Sequence, residues 1–276
     1  MNILYCGDET MERGLLISLL SLLKNVEESL HVFVLTMALD RADRHFSPIS
    51  EQTIRCLDAR AKEKNPENSV RRIDLTTLFE AEPPQKNMDT RFTPYCMLRL
   101  YADQIPEIPE RILYLDTDVI CRRNCGAFYH QPLAGHEVVG VLDHYGKWFF
   151  RTTPFRLDYL NSGVLLLNMA MIRQTGLFKK CRARCRDKKM FMPDQSALNQ
   201  LAATKKIADR KYNEQRKLHQ DTVFQHFTTS FRFFPWFHTL TVKPWQIDEV
   251  HQKLKLFEYD DILEEYTAAY AEMKGC

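Results

Sequence analysis

The sequence predicts an α/β protein built on a parallel, doubly wound sheet, and three observations carry that expectation. Short β-branched and aromatic runs alternate with helix-length periodic segments. One of those runs, Arg111 to Leu115, ends directly on a pair of aspartates. A hydrophobic content of 45% over 276 residues suffices for a core that covers both faces of a sheet.

Asn2 to Tyr5 reads as a first strand, followed by a polar loop through Cys6 to Thr10 and a helical pattern from Arg13 to Leu23. His31 to Thr36 (HVFVLT) is a second strand, Ser47 to Lys64 a helix with Ser and Glu near its start, and Val70 to Leu75 a third strand. Thr93 to Gln104 has helical periodicity and stops before Pro106. Arg111 to Leu115 (RILYL) then runs into Asp116-Thr117-Asp118. In open α/β sheets ligands bind in the crevice beyond the strands' C-terminal ends, so this is where a site is expected.

Glu137 to Leu142 and Gly163 to Asn168 read as further strands, and Met169 to Lys189 as one long helix. After residue 205 a basic stretch leads to Thr222–Phe227, the aromatic cluster Phe231 to Phe237, Lys243-Pro244-Trp245 and two closing helical patterns. The expected organisation is a catalytic domain over residues 1–250 and a helical extension over 251–276, without repeats or long linkers.

Thirty-eight basic against 36 acidic residues leave a formal charge of +2, a near balance that argues against a nucleic-acid binder driven by phosphate neutralisation. No basic-then-apolar leader opens the sequence, and the stretch Gly14 to Leu23 is too short to span a bilayer, so a soluble, cytoplasmic protein is expected. The eight cysteines include two CxxxC pairs, Cys121 with Cys125 and Cys181 with Cys185, which lack the spacing of zinc or redox motifs and read as reduced structural thiols.

Two carboxylates one residue apart point to opposite sides of a strand, but in a tight turn both can approach one divalent ion. Such an ion bridges phosphate oxygens and neutralises charge on a departing nucleoside diphosphate. Turn chemistry also produces many Asp-x-Asp sequences. A rival reading is a haloacid-dehalogenase-like phosphatase, in which Asp116 would be the nucleophile and Asp118 an acid/base. That class needs a later Gly-Asp or Asp-Asp metal site, and the Asp-Asp here, Asp260-Asp261, falls in a terminal helical pattern.

Five ordered segments, NILYCGDET, TPYCMLRLYADQIPEIPERILYLDTDVI, YLNSGVLLLNM, MPDQSALN and HTLTVKPW, resemble glycosyltransferase family 8 across about residues 1 to 250. This group contains bacterial lipopolysaccharide galactosyl- and glucosyltransferases and glycogenin. The resemblance implies a GT-A fold, a single Rossmann-like doubly wound mixed sheet with C-terminal helices. It also implies Mn²⁺ (or Mg²⁺), a UDP-sugar donor, and hexose transfer with retention to a glycan or lipid-linked acceptor.

Residue by residue, Asp8 resembles the family's uracil-contacting acid, with Thr10 and Met11 beside it. Met11 stands where the family often has an aromatic stacking residue, and a thioether can also pack on a base face. Arg99 resembles the arginine near the donor, its planar fork suited to phosphate and sugar hydroxyls; a salt bridge on a helix face is the structural alternative. Asp116 and Asp118 match the metal ligands. Asn161 resembles the asparagine that binds the donor sugar, or else is a turn residue. Asp194 and Gln195 resemble the acidic-Gln pair beside the reacting carbon, and Pro193-Asp194 also reads as a helix N-cap.

The family's third metal ligand is a histidine shortly before Lys-Pro-Trp. His238 is preferred, with His226 as the alternative and a core role for whichever loses. Lys243 is expected at the diphosphate as a point charge, and Trp245 in packing.

Arg173 to Lys189 carries eight basic residues (Arg173, Lys179, Lys180, Arg182, Arg184, Arg186, Lys188, Lys189). With the Phe231 to Phe237 aromatics they could dock peripherally at an anionic inner-membrane face holding a lipid-linked acceptor; a solvated helix face is the simpler reading. A second class stays open: a GT-A module that binds a nucleotide sugar or glycan without turnover. Loss of the metal pair or acidic-Gln pair would mark it, and both are present.

Overall fold

The computed structural model describes residues 1–41, 44–89, 94–146, 158–232, 236 and 238–275, with side chains left out at 41, 44, 231, 232, 238 and 275. Most of the aromatic run at 231–237 therefore lies outside the described residues, although Trp236 is described and exposed.

The central sheet uses seven strands: β1 (Asn2–Cys6), β2 (His31–Thr36), β5 (Ser69–Asp74), β6 (Arg111–Leu115), β8 (Val138–Leu142), β9 (Leu160–Asn168) and β10 (Lys205–Ile207). Their order is β10-β8-β9-β6-β1-β2-β5. A short hairpin of β3 (Leu39–Arg41) and β4 (Arg44–Phe46) stands apart from it. From β6 to β5 the pairing is parallel, whereas β9 runs antiparallel to both β6 and β8. The strand–helix alternation predicts an all-parallel sheet and misses this reversal; the mixed sheet of the resemblance is what is found.

Both faces of the sheet are buried, which is why its strands read as nearly unbroken apolar runs. Ile3, Tyr5, Leu113, Leu115, Val164 and Leu166 enter one core cluster, while Leu4, Cys6, Ile112, Tyr114, Leu165 and Leu167 enter the other. The period-2 alternation of strand side chains splits each run between two cores.

The first core is covered by α1 (Glu12–Asn25), α2 (Glu51–Lys64) and a C-terminal helix (Asp260–Gly275), whose Ile262, Leu263, Tyr266 and Ala269 share that cluster with Tyr259 just before it. Ser50 caps α2, its hydroxyl accepting from the Thr53 N–H. The second core is covered by a succession of 3₁₀ turns at Pro94–Gln104 and by three helices, Met169–Thr175, Leu177–Asp187 and Pro193–Leu201.

Two expectations need correction. The single helix expected over Met169 to Lys189 breaks at Gly176, whose φ of 66° lies in the left-handed region, and resumes at Leu177. The eight basic residues along it do not form one surface face. Arg182 is buried against Glu82 and Asp103, and Arg173 donates to the carbonyls of Asp103, Ile105 and Ile108. Lys179, Lys180, Lys188 and Lys189 remain exposed.

No described helix is long and apolar enough to cross a membrane. The seven described cysteines are unbridged, and both CxxxC pairs are buried.

Replacing Gly176 by Ala forces a side chain into the left-handed region at the helix break. Urea unfolding of Gly176→Ala should show a loss of about 1–2 kcal/mol with an unchanged slope, and an unchanged midpoint would contradict this account of the break.

Candidate active site

Strand direction decides which residues meet. The C-terminal ends of β1, β6 and β8 lie along one edge of the sheet, and the reversal of β9 brings its N-terminal end to that same edge. The backbone N–H of Asp116 donates to the Gly163 carbonyl at 2.8 Å, so the first aspartate starts where Asn161, Ser162 and Gly163 begin.

After the turn the chain forms β7 (Val119–Cys121), which pairs antiparallel with β11 (Phe224–His226) and sets His226 opposite Val119. The Phe227 N–H donates to the Asp118 carbonyl at 3.0 Å. A group that could hold a metal ion results: Asp116, Asp118 and His226 each offer an atom, all within 4.8 Å of one another. His226 Nε2 is 3.2 Å from Asp118 Oδ1 and 3.6 Å from Asp116 Oδ2.

Room for that imidazole comes from Gly163, since a methyl group there would overlap the His226 ring. The histidine that the structure brings to the acidic pair among the described side chains is His226, the alternative of the two. His238 heads the strand His238–Leu240, and its side chain lies outside the described ones.

Cations flank the acids on both sides. Lys243 Nζ contacts Asp118 Oδ2 and donates to the Phe227 carbonyl at 3.2 Å. Burial alone would push the Asp118 carboxyl up, but Lys243 and His226 overcome that and hold it well below the usual carboxylate range.

Arg99 is buried, with Nη2 3.1 Å from Asp116 Oδ1 and 3.3 Å from Asp194 Oδ2. Nη1 donates to the Ser162 carbonyl, and the guanidinium lies 3.7 Å over the Tyr114 ring. The Tyr114 hydroxyl donates to Asp116 Oδ1 at 2.6 Å. Arg99 is therefore more than a salt bridge on an exposed helix face, and loss of such a buried partner costs about 3–5 kcal/mol.

Asp194 is one residue inside its helix, after Pro193, and the N-cap position falls to Met192, which corrects the expected cap. Burial raises the Asp194 carboxyl, Arg99 lowers it, Asp116 raises it further, and the net shift is upward. Gln195 Oε1 accepts from the Ser162 N–H at 2.9 Å and faces the Ser162 hydroxyl at 3.1 Å, while its Nε2 donates to Asp143 Oδ2 at 3.1 Å.

In the first loop the Thr10 N–H and hydroxyl both donate to Asp8 Oδ1, and Thr117 Oγ1 lies 3.7 Å from Met11 Sδ. Burial pushes the Asp8 carboxyl up, with the Thr10 hydrogen bonds opposing it. The Asp8–Met11 loop thus adjoins the Asp-x-Asp turn.

With this geometry in view, the Glycosyl transferase family 8 model matches residues 2–248. The chain belongs to glycosyltransferase family 8. It is 26% identical over 233 residues to the lipopolysaccharide 1,3-galactosyltransferase of Salmonella typhimurium, covering 80% of this chain and 65% of that protein. It is 29% identical over 150 residues to the Escherichia coli lipopolysaccharide glucosyltransferase WaaO, covering 46% of this chain and 44% of that one. The chain spans less than two thirds of the length of either curated relative.

Among solved structures it resembles the galactosyltransferase LgtC in complex with donor and acceptor sugar analogues, with a TM-score of 0.66 at 18% identity over 97% of this chain and 96% of that one. The glycosyltransferase GlyE of Streptococcus pneumoniae gives a TM-score of 0.62 at 15% identity over 97% and 64% of the two chains. These likenesses establish the GT-A fold.

Two residues of this family 8 site escape the sequence reading. Asp143 follows β8 as Asp116 follows β6, and that parallel, an apolar strand ending on a carboxylate, is the signal that could have found it. Asn213, buried before β11, carries no such signal. The phosphatase reading loses its second metal site, because Asp261 pairs with Lys24 and Asp260 with His251 at the start of the C-terminal helix.

Gly163→Ala should displace the His226 ring, lowering stability by about 1–3 kcal/mol and abolishing thermal stabilisation by divalent cation. A Gly163→Ala protein with wild-type cation response would contradict the close approach.

Proposed function

We propose that this chain is a retaining hexosyltransferase that moves a sugar from a UDP-sugar donor to a glycan or lipopolysaccharide-type acceptor, with Mn²⁺ as cofactor. Residues 1–250 form its catalytic unit and 251–276 a closing helical extension. The observation that carries the reading is the meeting of Asp116, Asp118 and His226, with Lys243 beside them, at the ligand-binding edge of a GT-A sheet. The activities of the two lipopolysaccharide transferases and the sugar analogues held by LgtC support the donor and acceptor classes.

Two carboxylates and one imidazole form a donor set that suits Mn²⁺ and leaves positions for phosphate oxygens. A cation held by these three residues would supply Lewis-acid stabilisation of the departing diphosphate. Lys243 adds a second positive charge there, exchanging its contact with Asp118 for phosphate. Asp8 meets the base edge, and Thr10 holds its carboxylate in place. Arg99 keeps Asp116 and Asp194 in register through one guanidinium.

Retention fits same-face attack better than a covalent intermediate. Gln195 is a poor nucleophile and both ends of its amide are engaged. Asp194 is buried, paired with Arg99 and shifted toward its protonated form. The bond from the anomeric carbon to the diphosphate oxygen breaks, the acceptor oxygen bonds on the same face, and its proton passes to the departing phosphate oxygen. Asp194 positions the sugar.

A peripheral membrane contact would use the exposed Lys188, Lys189 and Phe191 next to the helix that carries Asp194.

UDP release from a panel of UDP-sugars should require Mn²⁺ and fall by about 100-fold or more in Asp118→Asn. The transferred sugar should keep the donor's anomeric configuration by NMR. Donor-induced thermal stabilisation without any release would favour the non-catalytic module instead. A sugar adduct trapped on Asp194 or Gln195 would overturn same-face attack.

A further inference from the structure

His226 faces the acidic pair through Nε2, so the partner of its other ring nitrogen decides which tautomer it holds. Nδ1 lies 3.1 Å from Asn161 Oδ1. Amide oxygen and nitrogen are distinguished only by their neighbours, and here the neighbours are unambiguous. The Gly163 N–H, which can only donate, lies 3.0 Å from Asn161 Oδ1, and Asn161 Nδ2 donates to Asp143 Oδ2 at 2.9 Å. The atom facing Nδ1 is therefore an acceptor, and Nδ1 carries the proton. A neutral His226 then has its lone pair at Nε2.

Two further residues hold this arrangement. Asn213 Nδ2 donates to Asn161 Oδ1 at 2.9 Å, and Asn213 is 1% exposed with no hydrogen-bond partner for its own Oδ1 among the described residues. Leaving a buried acceptor unpaired costs about 1–3 kcal/mol, but the flipped amide would set its oxygen against Asn161 Oδ1. Asp143 Oδ2 accepts from both Asn161 Nδ2 and Gln195 Nε2, tying β9 to the helix that carries Asp194.

We infer that Asn161, supported by Asn213 and Asp143, is a positioning residue that fixes the Nδ1–H tautomer of His226 and so presents Nε2 to a divalent cation. This rests on Asp116, Asp118 and His226 being the cation site. It assigns the Asn161 side chain a task inside the protein: its oxygen faces three donors and its nitrogen is committed to Asp143.

The test separates tautomer from cation. In protein labelled with [¹⁵N]histidine and measured both metal-free and with diamagnetic Mg²⁺, long-range ¹H–¹⁵N spectra should show a proton on His226 Nδ1 in both states, since Nδ1 faces Asn161 Oδ1 whether or not Nε2 is also protonated toward the acids. Asn161→Leu should move the proton from Nδ1 to Nε2, which the two aspartates then hold, and weaken Mn²⁺ binding, read by water-proton relaxation, about 10–100-fold.

Asn161→Ala, a smaller change if the leucine variant does not fold, should likewise lose the Nδ1 proton and bind Mn²⁺ more weakly. A proton retained on His226 Nδ1 in Asn161→Leu, or in Asn161→Ala where the leucine variant fails to fold, would overturn the inference. Wild-type protein that binds no Mn²⁺ would instead sink the cation reading and leave the tautomer spectra to decide this one.

Discussion

Three carboxylates, Asp116, Asp118 and Asp194, converge at one edge of the sheet, and the need to hold them there organises the site. Like charges about 4 Å apart repel by roughly 1–4 kcal/mol between bulk-water and partly buried conditions. Arg99 answers two of the three with one guanidinium, and Lys243 and His226 answer the remaining one. These partners come from separate parts of the chain: the 3₁₀ run before β6, the strand β11, and the segment before Trp245. Their convergence makes the edge both a structural clasp and a place where a cation and a diphosphate would find opposite charge already arranged.

The backbone makes this convergence possible through two antiparallel pairings beside the parallel strands of the sheet. Reversal of β9 turns its N-terminal residues toward the Asp-x-Asp turn, where a parallel strand would have carried them to the opposite edge. The β7–β11 pairing sets His226 in register with Val119, directly beyond Asp118. At their meeting point a glycine is required, because the imidazole occupies the space of any side chain at 163. Buried polar networks of this kind specify one arrangement when every member is satisfied. Here Asp143, Asn161 and Gln195 are each hydrogen-bonded inside the protein, and Asn213 Oδ1 is the network atom left without a partner among the described residues.

Much of this was legible in the sequence because strand periodicity and turn residues are local signals. His31–Thr36 and Arg111–Leu115 coincide with observed strands, and the acidic pair sits at the strand end where the pattern puts it. Gly176 was visible as a residue, yet its break was hidden, since apolar periodicity continues through Leu177 and Phe178 into the same core. The direction of β9 was equally hidden, because an apolar run buried on both faces looks the same in either sense. Choosing between His226 and His238 required the pairing partner of β11, a long-range fact that spacing before Lys243 does not encode. Asp143 was readable by the logic that found Asp116, whereas Asn213 acts only through Asn161 and leaves no local trace.

The most direct measurement is anomalous diffraction at the manganese edge from crystals soaked with Mn²⁺ and UDP. This account predicts one strong peak within bonding distance of Asp116, Asp118 and His226, with diphosphate density on its open side and Lys243 turned toward it. A peak coordinated elsewhere, or a bound diphosphate with those three side chains unligated, would contradict it.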